Sequence, residues 1–153
     1  MKKSVILIIT TMSLIAIILI GLIFQRAEVY NVTIYVQQIV VTDIRVGDEL
    51  YSTYYDEQEN IYRINNPEKP GTRLDLFYIP NLTVDILYQV SPYEATNPSV
   101  TFYGDPASTI AQVDPITGRV AFLDTGTETF TLKANDNSNK TVRVRLRAST
   151  PNT

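Results

Sequence analysis

The sequence predicts an all-β sandwich carried behind one transmembrane helix. Three observations lead there. Val5 to Phe24 is an uncharged apolar run of 20 residues, which as a helix reaches roughly 30 Å, the thickness of a bilayer core. After it come short stretches rich in Val, Ile, Thr, Tyr and Phe, punctuated by Gly, Pro, Asn and Asp. That is the pattern of strands and turns. No stretch beyond Phe24 repeats its apolar residues at helical spacing.

The apolar run is read as an uncleaved anchor. A cleaved leader has a shorter apolar core and a small-x-small site after it, whereas here Leu22-Ile23-Phe24-Gln25-Arg26-Ala27 follows. The chain has no Cys, so a lipid-modified leader is excluded. Lys2 and Lys3 precede the run and only Arg26 follows it closely. The positive-inside rule therefore puts the amino terminus in the cytoplasm and residues 27–153 outside. The expected division is 1–26 for start and span, 27–81 for leading strands and an insertion, 82–148 for the main β portion, and 149–153 for a polar tail.

Glu28 to Val46 alternates in places and is β-branched, so it predicts one long strand or two with a break near Gln37-Gln38. Gly47-Asp48 is a turn, and Leu50–Tyr55 and Ile61–Ile64 pair across the acidic loop 56–60. Asn65 to Gly71 is a loop by its Asn, Pro and Gly content. Leu74–Ile79 is a strand ended by Pro80-Asn81. Leu82–Val90 follows, with Leu82, Val84, Ile86 and Tyr88 on one face. Val100–Tyr103 is next, then Ile110–Val113 and Arg119–Leu123 as arms of a hairpin about Asp114 and Gly118. Glu128–Ala134 and Thr141–Ala148 close the chain across the turn 135–139. In the last strand Val142, Val144 and Leu146 face inward and Arg143, Arg145 and Arg147 outward.

Composition removes several functions. With no Cys and no His, thiolate chemistry, disulfides, imidazole ligands and the commonest general base are absent. Three of the 13 basic residues (Lys2, Lys3 and Arg26) flank the span, and all 16 acidic residues come after it. The outward portion is net acidic, which excludes a general nucleic-acid footprint.

From Val90 onward the order of features is Val90-Ser91-Pro92-Tyr93-Glu94-Ala95-Thr96-Asn97, then Ser99–Phe102, Ala111-Gln112-Val113-Asp114, Gly118-Arg119-Val120 and Thr125–Leu132. This order resembles the bacterial immunoglobulin-like domain, the group 2 type of intimin- and invasin-like surface proteins. The resemblance covers about the last 70 residues, and Phe102 stands where the family usually has Trp. It implies an immunoglobulin-like sandwich serving as a rigid spacer or as an adhesion or carbohydrate-contacting module at the bacterial cell surface.

Each candidate site competes with a plainer reading. Asp43, Asp48, Glu49, Asp56, Glu57 and Glu59 offer oxygen ligands but lack calcium-loop spacing, so they read as solvated turn acids, and no metal or cofactor is expected. Asp114 and Asp124 sit at opposite ends of one hairpin strand, too separated for a paired-carboxylate hydrolase. Tyr51, Tyr54 and Tyr55 beside the acidic loop suit a sugar or protein contact. Arg143, Arg145 and Arg147 form a basic stripe suited to anionic wall polymer, or else charges that keep an edge strand from pairing. The expectation is a non-catalytic, single-span surface protein with a structural or adhesive role. The alternative is a tethered glycan or wall-polymer binder.

Overall fold

The computed structural model describes residues 12–18 and 32–150. Residues 12–18 are helical and belong to a unit of their own, Met1–Val32. The rest of the expected span, 5–11 and 19–24, lies outside the described residues. Among the described residues no helix is long and apolar enough to cross a membrane.

The second unit, Thr33–Thr153, is all β. Its strands are β1 (Gln38–Val46), β2 (Glu49–Asp56), β3 (Ile61–Ile64), β4 (Leu76–Phe77), β5 (Thr83–Ser91), β6 (Val100–Tyr103), β7 (Ala111–Val113), β8 (Arg119–Phe122), β9 (Gly126–Ala134) and β10 (Thr141–Ser149). Hydrogen bonding runs β6-β9-β10-β3-β2-β1-β5-β8-β7, with β4 added beside β10. Pairing is antiparallel except for β10 with β3 and β10 with β4. The two faces of a sandwich are β1, β5, β8 and β7 against β6, β9, β10, β3 and β4.

β2 joins the two sheets, and a bulge in β1 explains how. β1 and β5 keep register from Gln38↔Ser91 to Val41↔Tyr88 and resume at Asp43↔Leu87, leaving Thr42 as the extra residue. A bulge bends its strand and shifts side-chain parity by one. The inward residues of β1 are accordingly Ile39 and Val41, then Ile44. β2 pairs with β1 only at Glu49–Ser52 and with β3 only from Thr53 to Asp56. At the changeover the Thr53 hydroxyl donates to the carbonyls of Val41 and Thr42, satisfying acceptors that the bulge releases from the ladder.

The core lies between the sheets. Ile44, Ile86, Val84 and Val120 meet Phe102, Phe130, Leu132, Val144 and Leu146, all 2% exposed or less. Phe102 sits edge-on to Tyr88 across the sheets, with centroids 5.7 Å apart at 70°, the preferred geometry for an aromatic pair. The end strands of the path are tied back together: Phe102 N donates to Pro115 O at 3.0 Å. The β7–β8 turn is built by Asp114, whose Oδ1 accepts from Ile116 N at 2.9 Å and Thr117 N at 2.7 Å.

Three expectations need correction. The strand expected over Leu74–Ile79 is only Leu76–Phe77, because Leu74 N bonds Ile64 O while Pro80 and positive-φ Asn81 turn the chain away. β10 is not an edge strand, since β9 flanks one side and β3 and β4 the other. The stretch before Gln38 is described from Val32 and is not a strand. It is held instead by isolated bonds, from Ile34 N to Thr96 Oγ1, Val36 N to Asp136 Oδ2 and Gln37 N to Ser91 O.

Candidate functional site

The basic stripe on β10 is largely spent on internal bonds. Alternation puts Arg143, Arg145 and Arg147 on the outer face, next to Arg63 of β3, with Arg145 and Arg63 in register. Two adjacent guanidiniums require anions between them. The β2–β3 loop supplies these. Arg63, 6% exposed, donates from Nε to Asp56 Oδ2 at 3.1 Å and from Nη2 to Glu59 Oε1. Arg145 donates to Glu59 Oε2 and, at 3.2 Å, to Thr129 Oγ1. Arg143 Nη2 reaches the Glu59 carbonyl at 2.9 Å. Arg147 lies 3.5 Å from Asp75 Oδ2, and Arg73 lies 2.7 Å from Asp75 Oδ1. Arg143 and Arg145 thus clamp the acidic loop onto the sheet, while Arg147, its side chain 41% exposed, faces Asp75.

The three candidate tyrosines are not brought together. Tyr51 and Tyr55 share strand parity, with Tyr54 on the opposite face, in line with Arg63. β2 also changes sheets between Tyr51 and Tyr54. Tyr55 packs against Tyr62 with ring centroids 4.9 Å apart and the planes tilted at 53°, and it donates to Asn60 Oδ1. Tyr51 donates to Glu49 Oε2, which raises the pKa of its phenol above the usual value.

Tyr51 instead lines a cleft that the sequence reading did not find. β3 stops at Ile64, and β10 is taken up again by β4 at Ala148↔Leu76 and Ser149↔Phe77. The far side of β4 has no strand partner among the described residues. Between it and the β1–β2 hairpin lies a cleft of about 520 Å³ lined by Val46, Tyr51, Leu74, Leu76, Phe77 and Ile79 among others. A shallower recess of about 340 Å³ continues past Tyr51 to Leu50 and Asn65. Leu50, Phe77 and Ile79 are each more than half exposed. A cluster of this kind marks an interaction surface more often than a random scatter of single residues does. The signal was present in Leu76-Phe77-Tyr78-Ile79: a segment apolar on both parities exposes one of them wherever only one face is covered.

The acids serve turns. Asp85 is held below the usual carboxylate range by its bond from Arg119, at 2.8 Å from Nε to Oδ1. Asp114 is lowered by the N–H groups of Thr117 and Ile116, and Asp56 by the Glu59 N–H, aided by Arg63. For Asp136, burial pushes upward most strongly, yet the bonds from the Ser138 side chain and from the N–H groups of Val36 and Ser138 together prevail and lower it. Asp124 Oδ1 accepts from Thr125 N at 2.6 Å. Among the described residues no cluster of three acids is placed to hold a metal ion.

These lowered values set a pH dependence. The native state binds fewer protons than the unfolded chain between the folded pKa values and the unfolded value near 4, so their stabilisation is complete above about pH 5 and lost as pH falls through the folded values. Thermal melts should give a Tm that holds steady from neutral pH to about 5 and drops below about 4. Asp85→Asn should flatten part of the drop. A Tm unchanged in strong acid would refute the assignment.

No family model matches the chain, and no curated protein matches it significantly. Among solved structures it is similar to a mutant intimin of EHEC O157:H7, at 12% identity over 74% of this chain and 48% of that one, with a TM-score of 0.46. It is also similar to a C-terminal 282-residue intimin fragment in complex with the intimin-binding domain of the translocated intimin receptor. There the identity is 18% over 74% of this chain and 32% of that one, with a TM-score of 0.40. The chain spans about half the length of the first and a third of the second.

Proposed function

We propose that this chain is a non-catalytic surface module: an immunoglobulin-like sandwich held by one amino-terminal membrane span, amino terminus inside, with an adhesive role toward another surface protein. The observation that carries the adhesive reading is the cleft beside β4, with Leu50, Phe77 and Ile79 exposed around it. A recess with an apolar floor, an aromatic rim and Asn66, Glu68 and Asp75 at its border suits the apolar-centre, polar-rim pattern of a protein contact. The polymer-binding alternative has the weaker support, since the tyrosines are dispersed and Arg143 and Arg145 are engaged by the acidic loop.

Two measurements test this. Protease shaving of intact cells that carry the full chain should remove the β domain; a domain cut only after lysis overturns the topology. Full-length protein in detergent should not be retained by purified cell-wall polysaccharide. Retention that Tyr54→Ala abolishes would establish the glycan reading in its place.

A further inference from the structure

β4 presents an open backbone edge to the cleft beside it. It pairs in parallel with β10, Leu76 with Ala148 and Phe77 with Ser149, and the Tyr78 N–H donates to Ser149 O at 3.0 Å. Along a strand the backbone groups of successive residues point to opposite sides. Those of Leu76 and Tyr78 therefore face β10, and the N–H and C=O of Phe77 face away from it. Among the described residues no strand takes up that side. The cleft of about 520 Å³ lies there, lined by Leu74, Leu76 and Leu82, with Phe77 and Ile79 exposed at 68% and 59%.

The charge lining this cleft has one sign. Glu68 and Asp75 line it and Glu49 lines the recess that continues it, whereas no Lys or Arg lines either. Asp75 is matched by Arg73 and Arg147. Among the described residues Glu49 and Glu68 have no ion-pair partner. Lys69, exposed beside Glu68, is the nearest base in sequence and lies outside the lining.

We propose that the cleft takes an extended segment of the partner polypeptide, added as a strand beside β4, with an apolar side chain in the cleft and Lys or Arg on its flanks. The inference rests on the adhesive reading of this cleft and names the form of the partner. An unpaired edge is a template for another chain. In strand addition main-chain bonds hold the segment while pockets select its side chains. An antiparallel neighbour can exchange both of its bonds with a single opposed residue, so Phe77 is enough to anchor it. β4 is only two residues long, so the ladder is short and the side chain in the cleft supplies the rest of the contact. A folded surface that docked by side chains alone would leave the Phe77 N–H and C=O to water.

The probe is a short fluorescein-labelled peptide of alternating Val and Thr with Lys at both ends, followed by anisotropy against the full chain in maltoside detergent. Binding should saturate. N-methylation of the peptide residue opposite Phe77 should weaken it roughly tenfold, the scale of a lost backbone bond, while N-methylation of either neighbour should leave it unchanged. Phe77→Pro removes the outward N–H without removing a bond to β10, at an edge where Pro is tolerated. It should weaken binding more than Phe77→Ala, which removes the ring and keeps the N–H. A peptide with Glu at both ends should bind more weakly, and the difference should close in high salt. No saturable binding of the Lys-ended peptide, tolerance of N-methylation at every position, or equal loss in Phe77→Pro and Phe77→Ala overturns strand addition and leaves the adhesive reading standing. Equal binding of the Glu-ended peptide overturns the cationic flanks. Retention of the full chain by purified cell-wall polysaccharide removes the adhesive reading and the proposal with it.

Discussion

Gly118→Ala is expected to destabilise the fold by about 3 kcal/mol, a drop in Tm of about 10 °C for a chain of this size. Two costs combine. Gly118 has φ +72°, where a side chain costs roughly 1–2 kcal/mol. A Cβ there would also stand 2.5 Å from Phe102 Cζ and 2.7 Å from Cε1, in a core that cannot yield without strain. Overpacking of this kind costs roughly 1–3 kcal/mol. The costs are separable. Gly118→Asn tolerates the left-handed backbone but keeps the clash, so it should remain strongly destabilising. Phe102→Leu shortens the ring side chain, so the double variant with Gly118→Ala should lose less than the sum of the singles. Urea melts measure all four. Strict additivity would show that Phe102 is not the obstacle.

Arg63→Ala is expected to cost about 2 kcal/mol, the scale of hydrogen bonds to charged groups lost from a mostly buried site. It leaves Asp56 and Glu59 short of their common donor and opens the space the guanidinium filled. Because Glu59 also holds Arg145, the acidic loop should loosen as a unit and become cleavable by protease within residues 57–60. Arg63→Met restores most of the volume without the charge, so it should recover a good part of the stability but not the loop protection. Equal stability of the Ala and Met variants would refute the packing component. Unchanged proteolysis in both would refute the clamp.

The sequence shows the strands far better than it shows the sheets. Alternation places β5, β6, β8, β9 and β10 within a residue or two, and it assigns Val144 and Leu146 to the interior, where they are 0% and 1% exposed. The Thr42 bulge escapes that reading: Thr42-Asp43 puts two polar residues between the inward Val41 and Ile44, but nothing local tells a bulge from an ordinary lapse in alternation. The sheet change of β2 was therefore invisible as well, and with it the separation of Tyr51 from Tyr54. The Arg stripe is legible as a pattern, but its partners are remote in sequence: Glu59 is 86 residues from Arg145. Nothing local says that the acidic loop will fold over those guanidiniums. The cleft depends on where β3 ends against β10, which is a matter of three strands at once.

The antiparallel ladder between β1 and β5 has a mechanical meaning. β1 is the first strand among the described residues, and it is hydrogen-bonded on both sides, to β5 over eight residue pairs and to β2 over four. Under the proposed reading of an amino-terminal span and a partner held at the cleft, a pull between the two runs along the strands. It must shear that ladder all at once, where a pull across the sheet would open it one bond at a time. The Thr42 bulge, where Thr53 is the cross-link, is then the first point at which tension would register.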